Sequence, residues 1–85
     1  MITPPGASLG QIASSLQDGN RDFMGLEKSA GQALSSHGWR VDYVAIRSQQ
    51  SLLPAQPEER DLVILAAARL GNTRLIDNLE VGLGR

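Results

Sequence analysis

Residues 61–81 read DLVILAAARLGNTRLIDNLEV, and their reading decides the fold. Leu62, Val63, Ile64 and Leu65 run into Ala66, Ala67 and Ala68, an apolar stretch that suits a buried strand over residues 61–70. A helix also fits, since alanine is the best helix former. Gly71-Asn72 settles the choice: this dipeptide between two apolar runs signals a β-hairpin. The returning strand covers residues 73–81, with Leu75, Leu79 and Val81 on one face. Asp77 shares their parity, so a bulge or a strand end is expected near it. Residues 82–85 are expected to form a flexible tail.

Upstream, Pro54 and Pro57 argue against regular structure across residues 48–60, a long connection for a hairpin. Leu52 and Leu53 within it are expected to fold back onto the core. Residues 39–47 alternate as a strand. Trp39, Val41, Tyr43 and Ala45 fall on one face, and Asp42, Val44 and Ile46 on the other. Both faces are partly apolar, which predicts cover on more than one side.

The first half has helical period. Pro4, Pro5 and Gly6 predict an extended start, with residues 1–7 flexible. Ser8 and Gln11 form a capping box for a short helix carrying Leu9, Ile12, Ala13 and Leu16 toward the core. Gly19-Asn20 stops it. A second helix, about residues 21–37, has the stripe Phe23, Leu26, Ala30, Ala33 and Leu34, with Asn20 or Asp22 as its cap. Gly25 and Gly31 each weaken it by up to ~1 kcal/mol, and one of them is expected to permit a close approach. Gly38 ends it. Helix, helix, strand, strand, strand predicts a single α+β domain over residues 1–85, with two N-terminal helices packed on a three-stranded antiparallel sheet.

Composition narrows function. The 85-residue chain has no cysteine, which excludes disulfides, thiolate metal sites and a cysteine nucleophile, and suits a reducing, cytoplasmic setting. A formal charge of −1 with mixed signs gives little attraction for nucleic acid. The longest apolar run, from Leu62 to Ala68, falls far short of a membrane span. The first residues lack the pattern of a secretion signal.

No catalytic, cofactor-binding or metal-binding residue is assigned. His37 is the only histidine, and its place at a helix C-terminus favours a structural role. Glu58, Glu59 and Asp61 around Arg60 read as a solvated loop. Ser14-Ser15 and Ser35-Ser36 lie in predicted helices without the strained turn a nucleophile needs. Arg74, Asp77 and Asn78 are the polar residues of most interest, either closing the sheet edge or touching another domain or its ligand.

The hairpin also carries a resemblance. An apolar run, three alanines, Leu70-Gly71 and Arg74-Leu75-Ile76-Asp77-Asn78 are similar to the C-terminal end of the pantothenate synthetase (pantoate–β-alanine ligase) family. Val41-Asp42-Tyr43-Val44 with Ile46-Arg47, Leu52-Leu53, and residues 19–22 resemble its preceding elements, so about residues 8–81 are covered. The resemblance implies an ATP-dependent, AMP-forming ligase that adenylates pantoate and then joins it to β-alanine. It also implies magnesium, a larger N-terminal nucleotide-binding domain as partner, and a homodimer formed through that domain. The family's His-x-Gly-His and Ser-Ser-Arg motifs are missing: His37-Gly38 is followed by Trp39, and Ser35-Ser36 by His37. This chain would then be a C-terminal lid, inactive alone. The alternative reading is a free-standing interaction module without catalysis.

Overall fold

The computed structural model describes residues 5–83, with side chains from Leu9 onward. Helices α1 (Pro5–Gln17) and α2 (Phe23–Ser36) precede strands β1 (Arg40–Ser48), β2 (Asp61–Leu70) and β3 (Thr73–Gly82). The strands form one antiparallel sheet in the order β1-β2-β3. The α+β arrangement is therefore the expected one, with both helices on the same sheet face.

α1 begins at Pro5, which places Ser8 inside the helix and not at its cap. Pro5 and Gly6 are helical, against the expectation of an extended and flexible start; proline suits a first turn because its missing N–H has no helical acceptor there. Pro4 lies outside the described residues. A turn at Gly19 follows α1, with the Gly19 N–H donating to Leu16 O and Asn20 N–H to Ser15 O, both at 3.0 Å. Arg21 then ties the junction down, its Nη1 donating to Leu16 O (2.9 Å) and its Nε to Pro57 O (3.2 Å).

Asp22 is the cap of α2: its carboxylate accepts the Gly25 N–H at 3.2 Å, while Asn20 Oδ1 accepts the Asp22 N–H at 2.8 Å. A side chain at Gly25 would meet the Asp22 carboxylate, so the close approach at this glycine is the helix's own cap. A methyl group added at Gly31 would meet no neighbouring element within 4 Å. Gly31→Ala is therefore expected to stabilise the chain by about 0.5–1 kcal/mol, seen as a thermal midpoint raised by roughly 3–6 °C. An unchanged or lower midpoint would contradict the open space at this position. At the other end of α2, Gly38 takes φ +90°, and Trp39 N–H reaches back to Leu34 O at 3.1 Å. Only glycine adopts this φ at little cost, and the turn drops Trp39 onto Leu34.

The core lies between the helices and the sheet. Leu9, Ile12 and Leu16 of α1 meet Ile46, Leu62, Ile64, Ala66 and Val81, with Ala30 of α2 alongside. Leu34, Trp39 and Ala68 form a second cluster toward the hairpin. Leu83 is also buried, and its N–H donates to Arg60 O at 2.7 Å. Residues 82 and 83 are thus part of the fold and not of a free tail; residues 84 and 85 lie outside the described residues.

β1 departs from simple alternation. Val41 pairs with Ala68 and Tyr43 with Ala67, so Asp42 is an extra residue in a β-bulge. The bulge resets the parity of the strand. Val41, Val44 and Ile46 all face the helices, while Tyr43, Ala45 and Arg47 share the opposite face. The apolar residues on both predicted faces therefore do not reflect cover on two sides. The bulge expected near Asp77 is absent: β2 and β3 stay in register from Leu70↔Thr73 to Asp61↔Gly82. Asp77 opposes the small Ala66, and its carboxylate accepts the next residue's N–H, Asn78, at 2.9 Å.

The connection from β1 to β2 doubles back along the outer edge of β1. Arg47 bridges to Pro54, Ser48 N–H donates to Leu53 O (3.0 Å) and Ala55 N–H to Ile46 O (3.2 Å). Leu52 turns the chain at φ +60°. Leu52 and Leu53 remain exposed, contrary to the expectation that they join the core. Backbone hydrogen bonds hold this loop, and Ala55 is its contact with the core. Glu27 completes the guarding of that edge, its Oε2 accepting Ile46 N–H at 2.7 Å.

Candidate functional site

The bare face of the sheet and its hairpin end hold the polar residues of interest. The two hairpin strands meet at Gly71-Asn72, and Gly71 takes φ +60°. A positive φ at the first turn residue alone is the type II′ pattern, which matches strand twist and favours glycine there. Leu70↔Thr73 closes the turn, so Arg69 and Arg74 stand directly opposite each other. Like charges in that position repel. The bulge on β1 supplies the answer: Asp42 Oδ2 accepts from Arg69 Nε at 3.4 Å and from Arg74 Nε at 3.3 Å.

One carboxylate therefore spans all three strands. The arginine side chains are about half exposed and Asp42 is 30% exposed, so solvent screens the pairs. Their contribution to stability is at most about 1 kcal/mol each. What they fix is geometry. Each guanidinium is held by its Nε.

Arg74, Asp77 and Asn78, singled out as a group in the sequence, are not brought together. Strand parity puts Arg74 and Asn78 on the bare face and Asp77 on the helix face. The residues that sequence reasoning missed are Asp42 and Arg69. The available signal was an aspartate inside an apolar strand, and two arginines symmetric about the hairpin turn.

The other sequence candidates resolve into structural roles. His37 is exposed at the C-cap of α2, where Nδ1 lies 2.8 Å from Ala33 O. A carbonyl only accepts, so Nδ1 is the donor in this contact. Ser36 Oγ, 3.5 Å from the same nitrogen, donates to the same carbonyl at 2.8 Å. Ser14 and Ser15 lie along α1, and Ser35 lies in the last turn of α2.

Glu59, Arg60 and Asp61 line a shallow cleft of about 160 Å³ with Ser48 and Gln50. Ser48 is buried, and its Oγ accepts the Gln50 and Ser51 N–H groups at 3.3 and 3.5 Å. The Ser48 hydroxyl, followed by the Gln56 N–H at 2.8 Å, holds the Glu59 carboxyl below its ordinary range. These groups latch the loop to the end of β1. Because the folded-state value is lowered, the latch is intact above the ordinary carboxylate value of about 4.3 and weakens as pH falls through the lower, folded value. Acid titration of the Gln56 amide signal should follow this group, and Glu59→Gln should remove the response. A response centred at or above the ordinary value would contradict the hydrogen-bonded latch. Among the described residues, no three His, Cys, Asp or Glu side chains are grouped to hold a metal ion, and no helix is long and apolar enough to cross a membrane.

The fold and site define an α+β module with one bare sheet face and with structural tasks for its histidine and acidic loop. Its particular membership follows from comparison with known proteins. A sequence model of the family described as Pantoate-beta-alanine ligase matches residues 6–80, and the chain belongs to that family. It is 53% identical over 73 residues to the pantothenate synthetase of Nitrosospira multiformis, covering 86% of this chain and 26% of that protein. It is 54% identical over 69 residues to that of Methylobacillus flagellatus, covering 81% of this chain and 25% of the relative. With that of Neisseria meningitidis serogroup C the identity is 56% over 72 residues, covering 85% of this chain and 26% of the relative. The chain thus spans about a quarter of the length of the curated relatives it matches. Membership removes the alternative of a module without ligase ancestry.

Proposed function

We propose that this chain is the C-terminal domain of an AMP-forming ligase that joins pantoate to β-alanine, and that it works as a lid. The observation that carries the reading is the family match across residues 6–80, while the chain matches only about a quarter of its relatives' length. The remaining three quarters would hold the catalytic motifs that this sequence lacks. ATP and magnesium act there; among the described residues no three His, Cys, Asp or Glu side chains are grouped to hold a metal ion. The setting is cytoplasmic, and the whole enzyme pairs as a homodimer through the larger domain.

In this reaction ATP would adenylate the pantoate carboxylate with loss of pyrophosphate, and the amine of β-alanine would displace AMP. The acyl-adenylate is open to hydrolysis. A domain closing over it excludes water and strengthens the local electrostatic interactions. This chain then contributes shape and exclusion, not acid–base groups. The pure 85-residue chain is expected to form no pantothenate from ATP, pantoate and β-alanine. Turnover that follows the fragment through purification would overturn the assignment of chemistry to the other domain.

A further inference from the structure

The two edges of the sheet differ. Glu27 and the 52–55 loop occupy the outer side of β1. β3 forms the other edge, and no strand neighbours its outer side among the described residues. It runs ten residues, without proline or lysine and without a bulge in its pairing to β2. A long, regular edge of this kind is ready to accept another strand. The register shows which of its groups face outward. In a two-residue hairpin the closing pair, here Leu70↔Thr73, exchanges both hydrogen bonds, and bonded and non-bonded pairs alternate from there. Arg74, Ile76, Asn78 and Glu80 therefore turn their backbone N–H and C=O groups away from β2. Asn78 bears this out, since its N–H donates to the Asp77 carboxylate at 2.9 Å.

The sequence of this edge complements itself. When a second β3 lies antiparallel to the first, with the two-fold axis at Asp77, Arg74 opposes Glu80, Leu75 opposes Leu79 and Ile76 opposes Asn78, each in both copies. Leu75 and Leu79 are 40% and 36% exposed and join neither core cluster. Arg74 donates to Asp42 through Nε, and a guanidinium has further N–H donors for a second carboxylate. Moving the axis to Ile76 sets Leu75 against Asp77 and Arg74 against Asn78. Moving it to Asn78 sets Ile76 against Glu80 and Asp77 against Leu79. Of the three, the axis at Asp77 matches charge with opposite charge and leucine with leucine. Pairing over residues 74–80 adds about eight backbone hydrogen bonds.

One residue opposes this arrangement. At the axis Asp77 faces its own copy, and like charges directly opposite each other repel. Its carboxylate also occupies the Asn78 N–H, one of the outward donors. The β1 edge carries a similar device, the Glu27 carboxylate on the Ile46 N–H. We infer that the outer edge of β3 docks a second copy of this chain, antiparallel and centred on Asp77, and that Asp77 is the guard that keeps the pairing weak. The two sheets join as one, and the contact closes at two copies. It is independent of the ligase reading and separate from the homodimer proposed through the larger domain.

Sedimentation of the 85-residue chain between about 10 μM and about 1 mM measures the association. The parent is expected to pair only at the top of that range. Asp77→Ala removes both the central repulsion and the cap on Asn78, and is expected to tighten the dimer roughly tenfold or more. In that background Arg74→Glu is expected to weaken it roughly tenfold, and adding Glu80→Arg should restore it to within about threefold, because the reversed charges meet in both copies. Glu80→Arg alone makes the like-charge clash without touching the Asp42 pair, and serves if Arg74→Glu does not melt cooperatively. Amide hydrogen exchange at Arg74, Ile76, Asn78 and Glu80 should slow as the dimer fills, while that at Leu75 and Leu79, already bonded to β2, stays unchanged.

An Asp77→Ala chain that is no more dimeric than the parent overturns the inference and leaves the edge to a strand of different sequence. A dimer indifferent to the charges at positions 74 and 80, or one that the double reversal does not restore, overturns the two-fold register. Assembly that continues past two copies overturns the closed contact.

Discussion

Ile64→Ala is expected to lower the stability of this chain by about 3–4 kcal/mol, leaving a substantial unfolded fraction at 37 °C. Ile64 has 0% exposure and lies in the middle of the central strand. It pairs with Ile46 on one side and Leu79 on the other, and belongs to the cluster formed with Leu9, Ile12 and Leu16. Truncation removes three carbon atoms and leaves a void bounded by a sheet and a helix. Backbone hydrogen bonds on both sides of β2 restrain the collapse that would fill it, so the cavity penalty adds to the lost burial. A domain of this size has total stability of only about 5 kcal/mol, so the substitution consumes most of it. Urea unfolding followed by circular dichroism measures the change. The midpoint should fall sharply with the slope unchanged. A loss below about 1 kcal/mol would show that the core is not centred on β2.

The second large effect comes from adding volume. Ala68→Leu is expected to destabilise the chain by about 2–3 kcal/mol. Ala68 is fully buried and lies between Leu34 of α2 and Trp39, the only tryptophan. Its small side chain leaves room for Leu34 and Trp39 in that cluster. Three added carbons have no free space, and the residue that can give way is Trp39, held by the Gly38 turn. Tryptophan emission should therefore shift to longer wavelength in the native state, before any unfolding. A conservative change at an exposed position, Ile76→Leu, should leave both emission and stability unchanged within about 0.5 kcal/mol. Unshifted emission in Ala68→Leu together with native stability would contradict the packing of Trp39 on Ala68.

The two experiments address opposite properties of one strand. Ile64 shows what the centre of the core needs filled, and Ala68 shows where it needs space. The alanines that make β2 ambiguous between helix and strand are buried, Ala66 in the cluster with α1 and Ala68 in the cluster with Leu34 and Trp39. Their small size is read by a neighbouring element, not by the strand itself.

Much of this arrangement is legible locally. The apolar run of β2, the Gly71-Asn72 turn and the glycine at the end of α2 each act within a few residues, so the number, order and type of elements follow from short windows of sequence. The α1 boundary is harder to read, because Ser8 and Gln11 make a plausible capping box, whereas Pro5 and Gly6 already fit a first turn. The exposure of Leu52 and Leu53 is hidden from the sequence because hydrophobicity alone suggests burial, whereas hydrogen bonds of the loop to β1 decide its path.

By itself, the sequence determined an α+β domain with a C-terminal hairpin and with family-marking residues on its returning strand. Only the tertiary structure decided which residues face the helices, because the extra residue at Asp42 has meaning only against the register of β2. A one-residue offset changes the side of every following side chain. The same offset places one carboxylate within reach of two arginines that are distant from it in sequence, at 27 and 32 residues. Local propensity specifies backbone conformation residue by residue. The face of a strand, and hence the surface offered to a partner, is a property of pairing between strands.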